Sequence, residues 1–274
     1  MDNVWVTPKL DTAISPFDRG LTYGDGLFAT MRSHNGVILF LDTHFSRLQQ
    51  GARRLGFYWH PDRQFLTKLT EVAKLNPNHC IKLLITKGVG GRGYASPNMS
   101  KPTSVLSVST IPSHYAQWQR QGISLSVSPV QLATQPLLAG IKHLNRLEQV
   151  LIKSQPLAEN ADDWLVLDIH NRVIGASMAN IFAVFGNNIC TPSMSYAGIS
   201  GVTRGKIIEQ LLDMGFNVDV CNITLLDIAN ADAVFMSNSL LHVVDVLNID
   251  QLPFTPWSKS EALRCELLKS DKNQ

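Results

Sequence analysis

The sequence is poor in the features that mark a disulfide-stapled, metal-binding or membrane protein. Cysteine occurs four times, at positions 80, 190, 221 and 265, and no two form a C-x-x-C pair. Neither a structural zinc site nor a redox pair is therefore indicated. The eight histidines contain no H-E-x-x-H, so metal chemistry is not indicated either. Charge of one sign is lacking too: 24 Lys and Arg against 22 Asp and Glu leave a formal net charge of +2, with the basic residues scattered. That balance gives no reason to expect nucleic acid or an anionic membrane as partner. No stretch approaches the roughly 20 apolar residues of a membrane span. The start, "MDNVWVTPKL", has no charged region leading into a long apolar run. The expectation is a cytoplasmic globular protein, and 274 residues suffice for two ordinary domains.

What is present is an alternation of strand and helix signals. "GLFATMRSHNGVILF" holds two strand-like runs around "SHNG", a hairpin-turn sequence. Next comes a helix over "HFSRLQQGARRLGF", with Asp42 or Thr43 as cap, Phe45, Leu48, Ala52 and Leu55 on one face and Gly56 as stop. "CIKLLITKG" and "TSVLSVSTIP" read as an antiparallel strand pair, completing a small α+β domain over 1–112. Pro112 and "SHYAQWQRQG" read as a linker, 113–122. A larger second domain, 123–274, opens on the strand "ISLSVSPVQL" and continues with a helix from about Asn145 to Ala158. The strands "WLVLDIHN" and "NIFAVFGN" follow, then the helix "GVTRGKIIEQLLDMG", with Ile207, Ile208, Leu211 and Leu212 as its apolar face. A short helix, a buried strand, a turn and a last strand close the reading through "ITLLDIANADAVFMSNSLLHVVDVLNI". No repeat or low-complexity tract appears.

Four places could carry chemistry. "GVGGRG", Gly88 to Gly93, fits G-x-G-x-x-G after a strand, but "YASPNMSKPT" behind it has no helical period. No helix N-terminus is there to receive a pyrophosphate, and a flexible loop projecting Arg92 and Tyr94 accounts better for it. In "SGVTRGKIIEQLL" a glycine leads directly into an amphipathic helix, so the amides near Val202 and Thr203 point outward at a positive dipole end. The residues alone favour an ordinary helix start there, with Thr203 as cap. Arg47 could be a second anion contact, although an arginine on an amphipathic helix is ordinarily a solvated face residue. Finally, "GIKHLNRLEQV" puts Lys142, beside His143, at the close of the apolar run "QPLLAGI". A lysine there is unusual because its ammonium ordinarily stays in water.

"YGDG" at 23–26, "HFSRL" at 44–48, "GGRGY" at 90–94, "GIKHLNRLEQV" at 140–150, "ANIF" at 179–182 and "GVTR" at 201–204 occur in the order and rough spacing of one enzyme family. Over nearly its whole length the chain resembles the fold type IV enzymes that use pyridoxal 5′-phosphate. These include branched-chain and D-amino acid aminotransferases and 4-amino-4-deoxychorismate lyase, which makes 4-aminobenzoate and pyruvate for folate synthesis. "GIKHLNRLEQV" and "GVGGRGY" are most similar to the lyase. The resemblance implies a small N-terminal α/β domain, a larger C-terminal domain with a β-barrel-like core that carries the cofactor lysine, and a homodimer. It implies that Lys142 binds the cofactor covalently, that Arg47 and the amides of Val202 and Thr203 hold its phosphate, and that Ser239 or Asn238 adds a polar contact. For a substrate with two carboxylates, Arg92 and Tyr94 are the candidate binding residues.

One position departs from the family. A glutamate five residues before the asparagine of "ANIF" usually pairs with the cofactor's pyridine nitrogen, and here that place is held by Gly175, with no acidic residue from Asn171 to Gly186. Losing that carboxylate weakens the ring as an electron sink. Three readings follow from the resemblance: a lyase, helped by the driving force of aromatisation; an aminotransferase of the same fold; or a homologue that keeps the fold without turnover. In the first two, burial beside Leu138 and Ile141 is expected to favour the neutral amine of Lys142, the form that bonds to a carbonyl.

Overall fold

The computed structural model describes residues 4–7, 13–95 and 101–269. It divides into two compact units, residues 1–111 with 141–145, and residues 112–140 with 146–274.

In the N-terminal unit the strands are β1 (Val4–Thr7), β2 (Gly26–His34), β3 (Val37–Ile38), β4 (His79–Thr86) and β5 (Thr103–Thr110), in the order β1-β5-β4-β2-β3. β4 and β5 pair antiparallel, as their sequences suggest. Asn35 and Gly36 join β2 to β3 with φ of 51° and 82°, both in the left-handed region that a tight hairpin needs. On β2 the buried positions alternate, Leu27, Ala29, Met31 and Ser33, as expected of a strand with one face on the core.

Against that face lie α2 (Leu41–Arg54), which buries Phe45, Leu48 and Ala52, and α3 (Arg63–Leu75), which buries Phe65, Leu69, Val72 and Ala73; α1 (Arg19–Tyr23) precedes β2. Each large side chain buried this way stabilises the unit by about 1.5–3 kcal/mol. α2 does not start as its sequence suggests: Phe40, at φ 57°, is the N-cap, so Asp42 and Thr43 lie inside the first turn. There Asp42 complements the helix dipole instead of capping. α3 was not anticipated at all. Its signals are the Asp62 carboxylate, accepting from the Phe65 amide at 2.7 Å, and the apolar spacing 65, 69, 72, 73.

The second unit starts with α4 (His114–Gln121), a helix formed by the residues read as a linker. It continues through β6 (Ile123–Val127), α5 (Leu147–Lys153), β7 (Asp163–Leu167), β8 (Val173–Ala176), β9 (Asn180–Phe185) and β10 (Asn188–Pro192). Then come α6 (Val202–Asp213), β11 (Asn217–Cys221), α7 (Leu225–Ala229), β12 (Ala233–Asn238), β13 (His242–Ile249), β14 (Leu252–Pro253) and α8 (Ser260–Lys269).

Its mixed sheet runs β11-β10-β9-β12-β13-β6-β7-β8, with β14 on β13. β8 ends that order yet turns straight into β9 in its interior, Ala176 N–H donating to Ala179 O at 2.9 Å, so the sheet is curled. Phe182 on β9 and Phe235 on β12 are cross-strand partners that stack with Trp257 from the segment before α8, neighbouring centroids 4.7 and 5.2 Å apart. α5 is shorter than its sequence suggests. On α6 Ile207 and Leu211 are buried, whereas Leu212 is 54 % exposed, outside the apolar face assigned to it.

Candidate active site

Lys142 lies on a strip, residues 141–145, that belongs to the N-terminal unit and not to the second domain where its place in the chain puts it. The reason is backbone pairing. Phe28 N–H donates to Lys142 O at 3.0 Å, and Leu144 N–H donates to Gly26 O at 3.0 Å, so the strip lies along the start of β2. Ile141 anchors it in the core, 3 % exposed. The lysine side chain is half-buried, and its Nζ lies 4.3 Å from the centre of the Phe28 ring. An apolar face thus replaces part of the amine's water, and Phe28, unrecognised in the sequence, supplies it.

α2 brings two further groups to this unit. Burial lowers the Arg47 guanidinium to a pKa of about 10, which leaves it charged at neutral pH. One turn earlier His44 is 1 % exposed, and neither ring nitrogen has a hydrogen-bond partner among the described residues. Burial first, and then the positive charges of Arg47 and Lys142, hold it neutral, well below its usual 6.5. Sequence reasoning passed over His44; the only signal was its place three residues before Arg47 on the same helix face.

A pH dependence follows. Below about 6.5, the unfolded-state value for histidine, the unfolded chain takes up a proton that the folded protein refuses, so stability present above that pH is lost as pH falls. His44→Gln is expected to lose about 1.4 kcal/mol less than the parent between about pH 7.5 and pH 5.5. Urea unfolding at both values checks this, and equal losses in the two proteins would count against a neutral His44.

The second unit holds the other predicted contacts. α6 starts at Val202 with Gly201 as N-cap, which has no side chain to cap with, and Thr203 sits within the first turn, correcting its expected role as cap. Gly201 leaves room for a neighbouring side chain: a Cβ there would meet Asn180 Oδ1 at 2.2 Å and displace it. Asn180, on β9, also donates from Nδ2 to Ile199 O at 2.9 Å, so it holds the turn that leads into α6. Thr203 Oγ1 donates to Ser239 Oγ at 3.3 Å, which joins two of the expected contacts. Asn238 has other work. Its Oδ1 accepts from the Leu240 and Leu241 amides at 2.9 and 3.0 Å, and its Nδ2 donates to Met178 O, shaping the turn that carries Ser239. Arg204 is turned inward, donating to Thr191 Oγ1 at 3.1 Å and to Pro192 O at 3.0 Å.

Arg92 and Tyr94 are exposed, and between them the Gly93 N–H donates to Tyr23 Oη at 2.9 Å while the Tyr94 ring meets that of Tyr23 edge-on. Gly175, on β8 opposite Val166, has the Ala179 carbonyl 2.6 Å from where a Cβ would stand. In the N-terminal unit an amine against an aromatic face suits an aldehyde and a desolvated arginine suits a phosphate; in the second unit a helix start on glycine beside paired hydroxyls is also of the kind that suits a phosphate.

Residues 26–249 match the class IV aminotransferase family. The chain belongs to that family. Among class IV relatives, it is 36 % identical to the aminodeoxychorismate lyase of Vibrio harveyi, over 89 % of this chain and 90 % of that protein. The crystal structure of 4-amino-4-deoxychorismate lyase from Pseudomonas aeruginosa superposes with a TM-score of 0.90, at 32 % identity, over 97 % of this chain and 98 % of that one. The branched-chain amino acid aminotransferase of Escherichia coli shares the fold, with a TM-score of 0.83 at 20 % identity over 98 % and 94 % of the two chains. The class IV match includes Arg47, Lys142, Thr203 and Ser239 and leaves residues 18–25 outside it. No helix among the described residues is long and apolar enough to cross a membrane.

Proposed function

We propose that this protein is a pyridoxal 5′-phosphate-dependent lyase that converts 4-amino-4-deoxychorismate to 4-aminobenzoate and pyruvate, as a homodimer in the cytoplasm. The observation that carries the reading is the Lys142 strip, whose amine is set against Phe28 by pairing with β2. The extent of the likeness to two lyases, at 36 % and 32 % identity, supports it.

When bound, the cofactor supplies a sink for the negative charge that develops at the substrate's C4. Lys142 holds the cofactor by its aldehyde. Arg47, the amides of Val202 and Thr203 and the hydroxyl of Ser239 bind its phosphate, where a guanidinium and a helix start complement two negative charges. During turnover Lys142 Nζ takes the proton from C4 and returns one to the departing enolpyruvyl group. Arg92 and Tyr94 bind the substrate's carboxylates. Aromatisation of the ring supplies driving force that a transamination lacks, so a lyase tolerates Gly175 better than an aminotransferase does.

The test is pyruvate release from aminodeoxychorismate with no amino acceptor present, read by coupling to lactate dehydrogenase. Pyruvate and 4-aminobenzoate in equal amounts are expected. Their absence, with transfer of an amino group between an amino acid and a keto acid, would assign the chain to the aminotransferases instead.

A further inference from the structure

The loop that carries Arg92 and Tyr94 is held by a buried arginine that the reading above does not use. Arg19 is 3 % exposed. Its Nε donates to Asp25 Oδ2 at 2.8 Å, its Nη1 to Gly93 O at 3.1 Å and its Nη2 to Tyr94 O at 3.2 Å. The same guanidinium lies 4.7 Å from the centre of the Tyr23 ring, and Tyr23 Oη accepts from the Gly93 amide. Both loop acceptors are main-chain carbonyls. The fork therefore fixes the loop's path through main-chain atoms, without using the side chain of Arg92, while the Tyr94 ring rests edge-on against Tyr23.

The anchor points also touch the lysine strip. Asp25, which orients Arg19, stands next to Gly24 and Gly26. Gly24 O accepts from Asn145 Nδ2 at 3.2 Å, Gly26 O accepts from the Leu144 amide at 3.0 Å, and Asp25 O accepts from the Lys87 amide at 3.0 Å. Residues 24–26 thus carry the end of the Lys142 strip on one side and the root of the Arg92 loop on the other.

We propose that Arg19, aided by Tyr23, is the positioning residue that registers the Arg92–Tyr94 loop on the segment holding Lys142, so that the loop meets the substrate's carboxylates already ordered. The inference rests on the substrate role given above to Arg92 and Tyr94. Lysine cannot take Arg19's place, because one ammonium cannot span a carboxylate and two carbonyls in a fixed plane.

The experiment uses the cofactor-loaded enzyme and the variants Arg19→Met, Arg19→Lys and Tyr23→Phe. Limited digestion with trypsin reads the clamp directly, since the bond after exposed Arg92 includes the tethered Gly93 amide. Cleavage there, identified by fragment mass, is expected to be about tenfold or more faster in both Arg19 variants and intermediate in Tyr23→Phe. In the same proteins KM for aminodeoxychorismate is expected to rise about tenfold, with kcat and the visible absorption of the bound cofactor within about twofold of the parent. Unchanged cleavage in all three overturns the clamp. Faster cleavage with an unchanged KM overturns the positioning role. A parent that releases no pyruvate sinks the proposed function, and the cleavage rates then still decide the clamp. Should Arg19→Met fail to fold, Tyr23→Phe and Arg19→Lys carry the same two measurements.

Discussion

Lys142→Ala is expected to abolish the covalent, borohydride-reducible link to pyridoxal phosphate and to lower pyruvate release by about a thousandfold or more, because it removes both the attachment point and the acid–base group. The fold should survive the change. What holds the strip to β2 is main-chain bonding, Phe28 N–H to Lys142 O and Leu144 N–H to Gly26 O, together with buried Ile141, and none of it uses the lysine side chain. The melting temperature of Lys142→Ala is therefore expected to stay within a few degrees of the parent. Peptide mapping after borohydride reduction decides the assignment, since a second lysine of the same unit, Lys87, is only 5 % exposed. A reduced adduct on Lys87, or full turnover by Lys142→Ala, would remove Lys142 from the chemistry. Phe28→Leu probes the aromatic face alone: it keeps an apolar neighbour but loses the ring under Nζ, and a weaker link with unchanged folding is the expected result.

How far all this was legible in the sequence depended on how local each determinant is. The β2–β3 hairpin could be read because Asn35-Gly36 and the alternation on β2 are local signals. The residues read as a linker form a helix because a polar run after proline looks like a loop until Tyr115, 7 % exposed, finds a place to bury. α3 could have been found from Asp62 and its apolar spacing. The unit to which Lys142 belongs could not, because it follows from pairing with a strand more than a hundred residues earlier in the chain.

The candidate site divides in the same way. Lys142, Arg47 and Thr203 stand in short motifs. His44 and Asn180 also stand in motifs, "HFSRL" and "ANIF", but the burial of the one and the bond from the other to Ile199 O belong to the fold, while Phe28 and Arg19 act through contacts with distant segments to which no spacing rule points. Gly201 lies between the two cases: the motif "GVTR" displays it, but only the fold shows that a side chain there would have to displace the Asn180 oxygen.

Gly175→Glu would restore the family's usual carboxylate, yet the chain has been built around its absence. A Cβ at 175 would stand 2.6 Å from Ala179 O, a main-chain atom in the turn between β8 and β9, and the Ala176 amide is bonded to that same carbonyl at 2.9 Å. Relief therefore requires moving the turn, not rotating a side chain. Both Gly175→Ala and Gly175→Glu are expected to lose about 1–3 kcal/mol, read as a fall of several degrees in melting temperature. The alanine variant separates strain from charge. If the glutamate reaches the ring nitrogen, only Gly175→Glu will alter the visible absorption of the bound cofactor and raise transamination relative to pyruvate release, because a carboxylate there keeps the ring protonated and strengthens it as a sink. If both variants melt like the parent, the close approach does not constrain the turn. If both are destabilised yet share the parent's spectrum and its ratio of products, position 175 does not face the ring nitrogen, and the lyase reaction proceeds without a carboxylate for reasons other than this glycine.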